Sequence, residues 1–163
     1  MSAAGGLERS DPGIVTERLA ELGITLPAVA APLASYVPAV RTGNLVYTSG
    51  QLPLEGGKPT HFGKLGAEVT PENGRVAART CALNALAAID ALVGIDSVVR
   101  VVKVVGFVAS APGFTGQPGV VNGASDFIGE VFGEAGAHAR SAVGVASLPL
   151  DVPVEVELIV EVV

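Results

Sequence analysis

The sequence predicts an α+β domain with helices packed on one face of a sheet. Three observations carry that reading. The run Val98–Ala109 is dense in valine, as a central strand is. The run from Pro153 to Val163 alternates apolar and polar residues with the period of a strand. Two further segments repeat apolar residues at helical spacing. The order is hairpin, long helix, strand, helix and two strands, which makes a mixed two-layer sandwich.

Taken in order, residues 1–13 read as a loosely attached tail. Ile14 to Leu22 is a short helix: Asp11 can cap it, Pro12 suits its first turn, Ile14, Val15, Leu19 and Leu22 share a face, and Gly23 ends it. Tyr36 to Gly50 is a β-hairpin, with strands Val37–Val40 and Leu45–Ser49 around the turn Thr42-Gly43-Asn44. Residues 54–68 form a glycine-rich loop. Thr70, Pro71 and Glu72 open a helix that runs to about Val93, with Val76, Ala77, Cys81, Leu83, Leu86, Ile89 and Leu92 as its apolar stripe and Gly94 as its stop.

Val98–Ala109 is read as buried on both faces, hence central in the sheet. A second helix runs from about Gly119 to Phe132 and buries Val120, Phe127, Ile128, Val131 and Phe132. Ala139–Ala146 is a strand. In the last strand Val154, Val156, Leu158, Val160 and Val162 share one face, while Glu155, Glu157 and Glu161 lie on the other with Ile159. The chain divides into residues 1–30, a tail with a short helix, and residues 31–163, a single domain.

Composition narrows the function classes. Hydrophobic residues are 49% of the 163, and charged residues only 16% against about 25% in an average soluble domain. Mean hydropathy is +0.53. So little charge predicts that other subunits cover part of the surface. Two stretches free of charge, Leu22 to Val40 and Val104 to Ser125, are long enough to cross a bilayer. Pro27, Pro32 and Pro38 break the first; Pro112, Pro118 and five glycines break the second, so no membrane partner is expected. Met1 to Gly13 lacks the apolar core of a secretory signal. Cys81 is the one cysteine, which excludes an intrachain disulfide and fits a reducing cytoplasm. A net charge of −6, with a pI near 4.8, argues against a nucleic-acid partner.

The common chemical motifs are absent. There is no P-loop, no Gly-x-Gly-x-x-Gly after a strand and no Gly-x-Ser-x-Gly elbow. His61 and His138 cannot complete a zinc site with a single cysteine at recognisable spacing, so no metal is expected. Cys81, inside an apolar stripe, reads as a small buried hydrophobe rather than a nucleophile. Arg140 remains, flanked by Ala139, Ser141 and Ala142 at the start of a strand. Its guanidinium fork either holds a carboxylate ligand or pairs with a glutamate, and the residues alone leave both open. Glu155 belongs to a row of three glutamates that is either a solvated face or, if enclosed, a source of an acid or base.

Three blocks then resemble a known family. The C-terminal one is Ala139-Arg140-Ser141-Ala142-Val143, followed by Leu148-Pro149 and Val154-Glu155-Val156-Glu157. The second is Gly43-Asn44-Leu45-Val46-Tyr47-Thr48-Ser49-Gly50-Gln51-Leu52-Pro53, and the third is the Lys103–Phe107 strand with Val121-Asn122 beyond it. Their order and spacing, from Tyr36 to Val163, resemble the RidA family, also called YjgF or endoribonuclease L-PSP.

The resemblance implies a chorismate-mutase-like fold and a homotrimer with a barrel-like core and sites between subunits. It implies hydrolysis of reactive 2-imino or enamine acids to 2-oxo acids and ammonia, with no cofactor. By the same resemblance Arg140 holds the substrate carboxylate and Glu155 positions or activates the attacking water, while Tyr36, Ser49 and Asn122 line the cleft. Two other functions stay open: a non-catalytic trimer that binds 2-oxo acids, and a ribonuclease, which the acidic pI opposes. The chain departs from the family at Ala142, where a cysteine often stands, and at His138, where a proline often precedes the Ala-Arg pair. Residues 1–30 and Gly56–Gly66 are longer than usual.

Overall fold

The structure, a computed structural model, describes residues 13–29, 31 and 34–163. Helix α1 (Ile14–Glu21) starts at Gly13 and buries Val15 and Leu19 in the same core as the rest of the chain. The predicted cap, Asp11, and Pro12 lie outside the described residues. Strands β1 (Ala39–Thr42) and β2 (Leu45–Thr48) pair through a two-residue turn, Gly43-Asn44, with Thr42 opposite Leu45. Val37 and Pro38 precede the first strand rather than belonging to it.

The segment expected to be loop contains a small hairpin, β3 (Leu54–Glu55) and β4 (Lys58–Pro59). Gly56 and Gly57 turn it with φ of 58° and 79°, the tight hairpin geometry that two glycines permit. Helix α2 (Pro71–Val93) is capped by Thr70, whose hydroxyl accepts the Asn73 N–H at 3.2 Å, and ends at Gly94. Ala77, Cys81, Leu86 and Ile89 are buried as expected, but Val76 and Leu92 are exposed. At 100° per residue Val76 falls on the side of the helix away from the arc of Ala78, Ala82, Ala85 and Ile89. Among the described residues α2 is the one helix long and apolar enough to cross a membrane, and most of it is buried inside the fold.

Strand β5 (Val98–Ala109) is followed by α3 (Gln117–Phe132), which begins two residues before the expected Gly119, and then by β6 (Ala139–Val145). This is a parallel strand pair joined by a helical crossover. The charge-free stretch Val104–Ser125 is therefore part strand, part loop and part helix. In α3, Phe132 is only half-buried. The last strand, β7 (Val154–Val162), inserts antiparallel between β2 and β5 and gives the sheet order β1-β2-β7-β5-β6.

Helices α2 and α3 cover one face of this sheet. Val98, Val101, Val104 and Val108 of β5 are buried there with Val154, Val156, Leu158, Val160 and Val162 of β7. The other face of β5, including Val105 and Phe107, is only half-buried. Among the described residues of one chain the expectation of two buried faces is thus corrected: no helix among them lies over the second one, and valine density reflects strand preference as well as burial.

Candidate functional site

Two polar groups stand out, and β5 separates them. The first is built on the edge strand β6. Arg140 pairs with Val104, a buried residue on the helix-covered side, so its side chain turns toward α3. Its Nη1 donates to Asn122 Oδ1 at 2.8 Å and to Ser125 Oγ at 3.2 Å, and Nη2 donates to the Pro118 carbonyl at 3.2 Å. Asn122 and Ser125 are three residues apart on α3 and so share a face. Gly123, on a different face of α3, lets the helix approach α2. A Cβ built there would collide with the Arg75 carbonyl of α2, so α3 is seated against α2 at the level of the two acceptors.

All three partners of Arg140 are neutral. Among the described residues its guanidinium is in neither of the two ion pairs, Arg18–Glu21 and Arg79–Glu130. The alternative of a glutamate partner is not realised among the described residues. Nε–H and one Nη2–H remain after those three bonds. Asn122 lies in the second turn of α3, and its side chain serves Arg140 rather than capping the helix.

Two members of this group were not singled out as site residues by the sequence. His138 Nε2 is 2.9 Å from Ser125 Oγ, and its Nδ1 is 2.6 Å from the Gly136 carbonyl. The available signals were spacings: Ser125 follows Asn122 by three on a helix, and His138 precedes Arg140 by two at the mouth of a strand.

The second group surrounds Glu155. The alternation of β7 buries Val154 and Val156 and turns Glu155 to the uncovered face, beside Phe107 of β5. Opposite it the ladder is irregular. Tyr47 pairs with Ile159 and Gln51 with Val156, so Thr48, Ser49 and Gly50 face only Glu157 and Leu158. This is a β-bulge, and the Thr48 hydroxyl accepts the Leu158 N–H there at 2.9 Å.

Gly50 of the bulge lies against the Glu155 carboxylate, where a Cβ would collide with an oxygen of that group. Burial, and then the charge of Glu157, raise the Glu155 pKa above its ordinary value. Ser49 Oγ donates to the Val37 carbonyl at 2.6 Å, and its N–H donates to Pro38 O at 2.8 Å, which ties the segment after Tyr36 to the bulge. Tyr36 is exposed.

Within one chain, then, Asn122 joins Arg140, Ser49 joins the Gly50–Glu155 corner, and the sheet lies between. Cys81 is fully buried, its thiol donates to Val154 O at 3.5 Å, and burial raises its pKa well above the ordinary thiol value, which suits packing and not attack. Among the described residues no three of His, Cys, Asp and Glu are grouped to hold a metal.

A mixed sheet with two helices on one face and an arginine on its parallel edge strand defines a small α+β domain of the chorismate-mutase-like type. The family model described as "YjgF/chorismate mutase-like, putative endoribonuclease" matches residues 16–162, and the chain belongs to this YjgF/RidA family. Protein TCP17 of Trypanosoma cruzi is 49% identical over 151 residues, covering 91% of this chain and 94% of that protein. The crystal structure of Atu1372 from Agrobacterium tumefaciens, of unknown function, is 46% identical with a TM-score of 0.85, covering 93% of this chain and 94% of the other. The crystal structure of Escherichia coli TdcF with bound serine is 25% identical with a TM-score of 0.58, covering 84% and 94%.

Proposed function

We propose that the chain binds a small 2-imino or 2-oxo acid through Arg140 and hydrolyses the imine to the 2-oxo acid and ammonia. The observation that carries this is Arg140 itself, a permanent cation held by three neutral acceptors with two donors left over. Two N–H groups on one planar fork suit a carboxylate. Serine, which TdcF binds, carries such a carboxylate.

The second half of the chemistry falls to Glu155. Water adds its oxygen to the imine carbon, the carbon–nitrogen bond breaks, and nitrogen leaves as ammonia with the protons the water supplied. A carboxyl with a raised pKa can take a proton from that water and return it to nitrogen. Arg140 and Glu155 lie on opposite sides of the sheet, so we assign the complete site to a cleft between copies, with a homotrimer as the assembly. The uncovered face, with Val40, Tyr47, Val105, Phe107, Val143 and Ile159, supports this, because a second copy would remove its apolar surface from water. A single buried cysteine suits the cytoplasm as the setting.

Ammonia release from freshly generated 2-iminopropanoate tests the reading: acceleration over buffer that Arg140→Ala abolishes is the expected result. No acceleration with any imino acid ends it. One observation favours a second reading, binding of 2-oxo acids without turnover: Ala142 supplies no thiol beside Arg140. Calorimetric binding of 2-oxobutanoate by a protein that releases no ammonia would select it.

A further inference from the structure

We propose that Ser125 and His138 are positioning residues for Arg140 and decide which of its hydrogens face the ligand. The inference rests on the reading of Arg140 as a carboxylate anchor and deepens it.

The argument follows the direction of each hydrogen bond. The Gly136 carbonyl can only accept, so His138 Nδ1, 2.6 Å away, carries a hydrogen. In the neutral ring Nε2 is then bare and must accept. Its partner at 2.9 Å is Ser125 Oγ, whose one hydrogen therefore points at the imidazole. The lone pairs of that oxygen are left for Arg140, and one Nη1 hydrogen occupies them at 3.2 Å. Asn122 Oδ1 takes the second Nη1 hydrogen. Nη1 is thereby used up, Pro118 O takes one hydrogen of Nη2, and the remaining pair is Nε–H with one Nη2–H.

His138 thus reaches the guanidinium through a single hydroxyl. Ser125 sits inside α3, where an unoccupied hydroxyl can turn to the carbonyl four residues back, that of Val121. The imidazole prevents this and keeps the oxygen facing Arg140. Both His138 and Ser125 are half-buried, so water competes with these bonds only in part. A proline before the Ala-Arg pair could form neither bond, so this chain orients its arginine by a route that proline cannot supply.

The test has a ligand-free arm and a binding arm. In 15N spectra of the full chain without ligand, His138 is expected as the Nδ1–H tautomer, with the Nη1 hydrogens of Arg140 slowed enough to resolve. Ser125→Ala and His138→Phe are both expected to merge those signals, while Ser125→Thr keeps them. Ser125→Ala removes one oxygen only and carries the expectation alone if His138→Phe does not fold. In calorimetry with 2-oxobutanoate, His138→Phe is expected to weaken binding about three- to tenfold, and His138→Gln to recover most of it.

Because His138 acts through the hydroxyl, its replacement should cost almost nothing in the Ser125→Ala background. An Nε2–H tautomer, unchanged Nη1 signals in both variants, or an undiminished His138→Phe effect in that background overturns the proposal. Resolved Nη1 signals in a parent protein that binds no 2-oxobutanoate support the positioning and overturn the carboxylate reading instead.

Discussion

At the Arg140 corner a cation meets three neutral acceptors, two of them from one face of α3. At the Glu155 corner an acid is half-buried between the bulge at Gly50 and the charge of Glu157. The first group is a guanidinium, a planar fork of N–H donors. The second is pushed toward the neutral form by burial and by the charge of Glu157. In the proposed function one corner holds the ligand and the other transfers the proton. Their positions differ in the same sense: Arg140 stands on an edge strand against a helix, Glu155 on an interior strand facing outward from the sheet.

Variants at the two corners should therefore separate binding from turnover. Glu155→Gln is expected to have the largest effect, a loss of about a thousandfold in imine hydrolysis with 2-oxobutanoate affinity held within about threefold. Steady-state ammonia release and calorimetry on the same preparation measure both; a parallel loss of affinity would erase the contrast.

The same variant makes a pH prediction. The folded pKa of Glu155 is raised, so its contribution to stability is full below the ordinary carboxylate range and is lost as pH rises through the raised value. Glu155→Gln should therefore melt above the parent at neutral pH, with the difference vanishing in acid.

Next comes Arg140→Ala, expected to weaken 2-oxobutanoate by about a hundredfold through loss of the charge and the fork together. Arg140→Lys, which keeps charge without the planar fork, should recover only a minor part. Full recovery would mean that charge alone does the holding.

Gly50→Ala sharpens the other corner. Its Cβ displaces the Glu155 carboxylate, so turnover should fall about tenfold while affinity at Arg140 stays put. The smallest effect belongs to Asn122→Ala, which removes one of the three acceptors and should weaken binding about threefold. A loss as large as that of Arg140→Ala would show that Asn122 touches the ligand itself.

Much of the fold was legible in order because its signals are local. The Thr70-Pro71 start and Gly94 stop of α2 coincide with the predicted limits, and β5 runs from Val98 to Ala109 as read. The small hairpin at Leu54–Pro59 was missed, since two-residue strands carry too few side chains for a period to show. The one-sided burial of β5 was missed because valine is placed both by burial and by strand preference.

The candidates Arg140, Asn122, Ser49, Tyr36 and Glu155 could be named from the family resemblance. Which of them touch could not. Asn122 and Ser125 meet Arg140 across 18 and 15 residues, and Gly50 meets Glu155 across the bulge. By itself the sequence determined the longer elements, the buried faces of α3 and β7, and the residue types able to hold a carboxylate or move a proton, because capping, periodicity and side-chain chemistry act within a few residues. Only the tertiary structure decided that these residues form two corners on opposite sides of β5 and that Ser125 and His138 join the first. Strand order and helix seating bring together residues distant in the chain, and no local pattern encodes that.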